Sequence, residues 1–254
     1  GAGGKTLAII HEGRERAARG ARTLVTATTN IVEPAPSPGE TLILASSLAD
    51  CLEKIHLASA QFSTIMLTRD TPPEGPIRLT WLGSDYPLAF KPYKLTGIPT
   101  EWIAPLSAQQ AGEVILIKAD GAARRMLKAP NQDEPAIPPN ATLVVPIADL
   151  EALGKPLNEE TVQRPALLAD IACVSLGAPI NAELIAIALA HPHGGLKAVP
   201  AGARVVPLLT THRQRFDTAD IRNTVRLLLL SPSIQHVVVA RLRSTPALCE
   251  SFTR

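Results

Sequence analysis

Val114-Ile-Leu-Ile117 is the stretch that most limits what this chain can become. Four consecutive apolar residues, mostly β-branched, are too few for a helix and read as a buried strand. A strand buried on both faces is the habit of parallel α/β sheets. It runs into Lys118-Ala-Asp120-Gly121. An acid at the C-terminal end of such a strand points into the crevice where open α/β sheets take ligands. Arg124, Arg125 and Lys128 follow closely, so the same edge carries cations. An acid that can hold a metal beside bases that can hold phosphate makes a nucleotide edge. A strand ending in an Asx-turn, with the bases on a solvated face, has the same residues.

The rest of the chain repeats this alternation. Leu7 to Arg19 reads as a helix with Gly20 as its C-cap, and Arg22 to Ala27 as a strand with the polar end Thr28-Thr29-Asn30. Further strands are predicted at 142–147, 204–209 and 235–240. Helices are predicted over 158–168 (interrupted near Pro165), 181–190 (capped by Asn181) and 218–230. Residues 41–111 are less regular. They hold a strand at 41–45, a helix at 47–58 capped by Ser47, a hairpin pairing 64–68 with 77–81 across Pro72–Pro76, and a helix starting at Pro99. The expectation is a single α/β domain over 1–254 with a mostly parallel sheet, helices on both faces, and an insertion at about 41–111. Aromatics make up only 3% of the chain, so the core must be built from Leu, Ile, Val and Ala.

The chain opens on Gly1-Ala-Gly3-Gly4-Lys5-Thr6 and enters the first helix directly. Glycines let backbone N–H groups curl around a phosphate. The lysine adds a point charge, the hydroxyl is a Mg²⁺ ligand, and the helix N-terminus adds its dipole. The full phosphate-loop signature needs a glycine that would fall before residue 1, and a strand feeding the loop. Both are expected ahead of Gly1. A flexible glycine-rich end is the plainer reading of this stretch alone.

Composition removes other classes. A net charge of +2 gives no footing for a nucleic-acid binder. No apolar run has the length of a membrane span, and no signal peptide is visible. Cys51, Cys173 and Cys249 are odd in number and widely spaced, which argues against disulfides or a zinc ribbon. They are expected to be small buried residues in a reducing cytoplasm. His191-Pro-His193-Gly194-Gly195 reads as a turn after the Asn181 helix rather than a metal pair. His212, Arg213 and Arg215 read as a solvated approach to the next helix.

Taken together, these segments resemble one family, the selenium-dependent hydroxylase accessory proteins, or YqeC-like proteins. The resemblance runs through Gly1–Thr6, Thr26-Ala-Thr-Thr-Asn30, Leu95-Thr-Gly-Ile-Pro99, Ala119-Asp-Gly-Ala122 and Leu127-Lys-Ala-Pro130. It continues through Asp133-Glu-Pro-Ala-Ile-Pro138, Leu153-Gly-Lys-Pro-Leu157, Val162-Gln-Arg164, His191–Lys197 and Pro200. It implies a phosphate-loop NTPase-like fold that binds ATP or GTP with Mg²⁺. It also implies a role in maturing selenium-dependent molybdenum hydroxylases, through handling of a selenium or molybdenum cofactor species. Its partners would be the hydroxylase or its maturation enzymes. On that pattern Lys5 holds phosphate, Thr6 ligates Mg²⁺, and Asp120 supports the metal directly or through water. Gly1, Gly3, Gly4, Thr28, Thr29 and Gly121 border the nucleotide, and Lys128 is the favoured basic residue on its Pro130-stiffened loop. Arg164 matches a family position, and Gly194, Gly195 and Lys197 line the cleft.

Three positions depart from the family pattern. An acid usually precedes Ala-Asp-Gly, and here Lys118 stands there. The threonine run usually ends in lysine, and here it ends in Asn30. An Asn-Lys-x-Asp-like segment usually follows the strand ending near Leu209, and here Thr210 to Asp217 replaces it. An NTPase is therefore set against a carrier or chaperone that has lost turnover, with a small-metabolite kinase as a third expectation.

Overall fold

The computed structural model describes residues 4–33, 37–69, 94–244 and 247–254. Gly1, Gly3 and the predicted strand 77–81 lie outside them. The chain divides into two compact units, Thr6–Gly121 and Gly1–Lys5 with Ala122–Arg254. Instead of the single sheet expected, the described residues form two four-stranded sheets, one in each unit.

The first unit is threaded in the order α1 (Lys5–Ala18), β1 (Thr23–Ala27), β2 (Ile31–Val32), β3 (Glu40–Ala45), α2 (Leu48–Ala58), β4 (Thr64–Arg69), β5 (Lys94–Leu95), α3 (Ile103–Ala108) and β6 (Val114–Lys118). Its sheet has the order β3-β4-β1-β6, and every pairing is parallel. Alternate side chains feed opposite faces, as a pleated strand requires. Leu24, Ile43, Ile65 and Leu67 pack against Cys51 and Ile55 of α2 and against Ile103 and Leu106 of α3. Their neighbours Val25, Leu42, Met66 and Leu116 turn to the other face, where Ile9 of α1 packs. Helices thus cover both faces, as the apolar runs predict. Each fully buried leucine or isoleucine contributes about 1.5–3 kcal/mol. Residues 41–69, read from the sequence as part of an insertion, supply β3 and β4 of the sheet itself. Ser47 caps α2 as predicted, its hydroxyl accepting from Asp50 N at 3.2 Å.

The second unit continues with β7 (Leu127–Lys128), β8 (Leu143–Val144), β9 (Ile147–Asp149), β10 (Val162–Gln163), α4 (Pro165–Ala172), α5 (Ala182–Ala190), β11 (Arg204–Val205), β12 (Leu208–Thr210), α6 (Ala219–Leu229), β13 (His236–Arg241) and β14 (Leu248–Thr253). Its sheet has the order β14-β13-β12-β9, parallel except for β14. Its core joins Leu184 and Ile185 of α5, Ile221, Val225 and Leu228 of α6, and Leu209, Val237 and Val239 of the strands.

Prolines account for most differences from the sequence reading. The strands predicted at 142–147 and 204–209 each break at a proline, Pro146 and Pro207. Their first halves, β8 and β11, pair with each other, while β9 and β12 join the four-stranded sheet. A proline has no N–H to give a ladder. The helix predicted over 158–168 begins at Pro165 instead, where proline suits the first turn. Asn158 caps a turn, accepting from Glu160 N and Thr161 N at 3.1 Å each, and Val162–Gln163 is a strand. Of the cysteines only Cys51 is buried, its thiol pushed up to about 11 chiefly by that burial; Cys173 and Cys249 are exposed. Among the described residues no helix is long and apolar enough to cross a membrane.

Candidate functional site

All four strands of the first sheet run the same way, so their C-terminal ends share one edge. Register sets Ala27 of β1 opposite Lys118 of β6. Thr28, Thr29 and Asn30 therefore lie beside Ala119, Asp120 and Gly121. Thr28 N donates to Lys118 O at 3.1 Å. From Thr6 onward, α1 packs on the same sheet. A Cβ on Gly13 would sit 3.1 Å from Val25 and 3.7 Å from Thr23, near the beginning of β1. Ile9, one turn earlier, packs in the cluster that holds Ala27, Ile31 and Leu95. The helix thus runs antiparallel to β1 and carries Thr6 toward the strand ends. Lys5 is its first residue, and Gly4 ahead of it has a φ of 78°.

The Leu95–Pro99 segment locks this edge. β5 pairs with β2, Ile98 N donates to Ala27 O at 2.8 Å, and Arg69 N donates to Thr96 O at 2.9 Å. Gly97 presses directly on the threonine run. A Cβ there would overlap Ala27 O and Thr29 O and come within 2.7 Å of Thr29 N. Lys118 is buried at 9% exposure, and its ammonium donates to Thr29 Oγ1 at 3.1 Å and to Asn30 O at 2.6 Å. Lys118 and Asn30, far apart in the sequence, therefore touch each other. Replacing Lys118 with methionine keeps the packing of its stem and removes both bonds. Stability should fall by about 2 kcal/mol, the scale of a charged hydrogen bond, read as a lower denaturant midpoint at unchanged slope.

Directly after Gly121, Ala123 and Arg124 both lie in the left-handed region, at φ 43° and 66°, and Arg125 N closes the turn onto Ala122 O at 2.7 Å. Two successive non-glycine residues there store strain.

The other predicted residues gather around one loop of the second unit. Lys128, with its side chain 5% exposed, pairs with Glu134 at 2.8 Å, and Arg164 meets the same carboxylate oxygen at 2.8 Å. Arg164 also donates to Ala129 O at 3.1 Å, from a left-handed backbone at φ 64°. Lys197 donates to Asn131 O and Gln132 O. Arg164 and Lys197 thus both reach residues 128–134, the loop that Lys128 opens. Burial alone would raise the Glu134 carboxyl, but the bonds and charges of Lys128 and Arg164 outweigh it and hold the group below the ordinary glutamate range. Gly194 and Gly195 close the turn after α5, as its reading as a turn predicts. A Cβ on Gly194 would lie 2.7 Å from Ala188 O, and one on Gly195 would overlap Leu189 O. Packing against the helix accounts for both glycines.

One group escaped the sequence reading. Asp149 ends β9, and its carboxylate accepts from Glu151 N at 3.0 Å. Glu151 in turn accepts from Thr211 Oγ1 at 2.9 Å and from His212 N at 3.1 Å. Burial pushes the Asp149 carboxyl above the ordinary aspartate range, against the Glu151 N–H and the charges of His212 and Arg243. The available signal was an acid at a strand end, as at Asp120, but the strand was read as stopping at Ile147.

Fold and edge together define a parallel α/β protein with hydroxyls and an acid gathered at the C-terminal ends of its strands. The chain belongs to the YqeC protein family, whose model matches residues 1–166. It is 28% identical over 259 aligned residues to "Uncharacterized protein YqeC" of Escherichia coli (strain K12), covering 99% of this chain and 89% of that protein. No solved structure matches it.

Proposed function

We propose that the chain binds ATP or GTP with Mg²⁺ at the C-terminal edge of the first sheet. In this reading it serves as an accessory factor in maturing selenium-dependent molybdenum hydroxylases, handling a selenium or molybdenum cofactor species. The observation that carries the nucleotide reading is the meeting of Thr28–Thr29 with Ala119–Gly121 on one edge, toward which α1 carries Thr6. Among the described residues no group of three or more His, Cys, Asp or Glu is arranged to hold a metal ion. Mg²⁺ bound with nucleotide does not require one, because phosphates and water supply most of its oxygens. A hydroxyl from Thr6 and a carboxylate from Asp120 fit that donor set. The bound ion would neutralise phosphate charge. The chain's own residues orient the phosphates: backbone N–H groups ahead of α1 and the Lys5 ammonium donate to their oxygens. Lys5→Ala should weaken nucleotide binding by about 10- to 100-fold, the scale of one charged hydrogen bond. Equal binding by both proteins would defeat the phosphate-loop assignment.

A second reading, a cofactor carrier or chaperone without turnover, is favoured by Lys118. A buried cation tied to Thr29 and Asn30 stands where the family pattern has an acid, so no carboxylate is present there to orient an attacking water. Phosphate release separates the two. Lys5-dependent hydrolysis excludes the carrier, and tight binding without hydrolysis excludes the NTPase. Release without any acceptor counts against a small-metabolite kinase.

A further inference from the structure

The strand ends of the second sheet carry polar groups that the nucleotide reading leaves unused. Thr210 stands opposite both Asp149 and Ala240, so β9, β12 and β13 finish level. Beyond that row β12 runs into Thr211-His212-Arg213, and β13 ends in Arg241, followed by Leu242 and Arg243. The carboxylates on this edge are already engaged. Asp149 accepts from Glu151 N, Glu151 accepts from Thr211 Oγ1 and His212 N, and Asp220 lies 3.6 Å from Arg213. What remains is a surplus of donors. Arg241 Nε is buried with no partner among the described residues, and so is the hydroxyl of Thr218, just ahead of α6. Arg243 is exposed, yet close enough to act on the Asp149 carboxyl. A buried N–H without an acceptor is costly. The C-terminal edge of a parallel sheet is where α/β proteins take ligands, and an oxyanion supplies the acceptors that these donors lack.

We propose that this edge is a second ligand site, which takes the phosphate or carboxylate group of a small molecule on Arg241 and Arg243, beside the Thr211–Arg213 turn. It uses none of Lys5, Thr6 or Asp120 and does not rest on the nucleotide reading. Asp149 sets its selectivity, because an incoming anion must approach a negative charge already on the edge. Two substitutions therefore act in opposite directions. Arg243→Gln removes an attractive charge from an exposed position. Asp149→Asn removes the repulsive charge and leaves an oxygen to accept from Glu151 N.

The test is a titration of the full chain with inorganic phosphate and, separately, with acetate, at millimolar concentrations. It follows the backbone amide resonances of Thr211, His212 and Arg243. The chain carries Lys5→Ala, so that phosphate bound at the glycine-rich start does not contribute. Saturable shifts are expected, with the dissociation constant raised about tenfold by Arg243→Gln and lowered several-fold by Asp149→Asn. Saturation by phosphate alone assigns a phosphorylated ligand, and saturation by acetate assigns a carboxylate. No saturable shift with either anion, or shifts that neither substitution moves, would overturn the site.

Discussion

Replacing Glu134 with alanine should cost about 3–5 kcal/mol of unfolding free energy, because it removes the carboxylate that a buried lysine and Arg164 share. Lys128 is almost wholly buried, and Glu134 is the carboxylate it pairs with at 2.8 Å. Arg164 meets the same oxygen from a strained backbone. Removing the carboxylate leaves both cations facing each other across the loop. The neighbouring Asp133 is exposed, so Asp133→Ala should stay within about 0.5 kcal/mol. Adding Lys128→Met to Glu134→Ala should recover much of the loss, since the buried positive charge beside Arg164 is then gone. Acid should act in the same direction as the substitution. The folded carboxyl is held low, so its contribution is complete above the unfolded value and disappears as pH falls through the folded one. Denaturant titrations across that range check both points. A wild-type and Glu134→Ala difference that stays constant down to pH 2 would show that the pairing is not its source.

Gly97→Ala should be the most damaging substitution on the first sheet's edge, at about 3 kcal/mol. The added carbon would overlap two backbone oxygens and approach Thr29 N at 2.7 Å. These are main-chain atoms, so no side chain can swing aside. Either the Leu95–Pro99 segment lifts, breaking the bond from Ile98 N to Ala27 O, or Thr28–Thr29 shifts. In the second case the loop proposed to border the nucleotide moves with it. Gly97→Ala should therefore lower both the denaturant midpoint and nucleotide affinity. Lys118→Met should lower the midpoint further than it lowers affinity. Full stability in Gly97→Ala would mean that this segment does not press on the threonine run.

Much of the architecture was legible because local chemistry and tertiary role agree. Val114–Ile117 and Arg22–Ala27 read as strands and pair in parallel, although the former, read as buried, is only half-buried. Ser47 and Asn181 read as helix caps and accept from Asp50 N and Leu184 N. Pro146 and Pro207 were harder, since a continuous apolar run hides a break that matters only when the partner strand is known. Pro165 was read as an interruption because Asn158 offered an earlier start, and Asn158 spends its side chain on a turn. Asp149 was missed for the same reason as β9, whose register is set by β12 some sixty residues later. Glu134 appeared only as part of a motif. Its role depends on Arg164, thirty residues on, reaching the same carboxylate. Asn30 and Lys118, far apart in the sequence, become one arrangement once register brings them together. Sequence spacing does not report that adjacency.

The most direct measurement is equilibrium binding of labelled ATP and GTP with and without Mg²⁺, for the wild-type chain and Asp120→Asn. The nucleotide reading predicts that Mg²⁺ strengthens wild-type binding about tenfold or more, and that Asp120→Asn keeps the metal-free affinity but loses most of the gain. It would be contradicted if neither nucleotide bound, or if Mg²⁺ strengthened binding equally in both proteins.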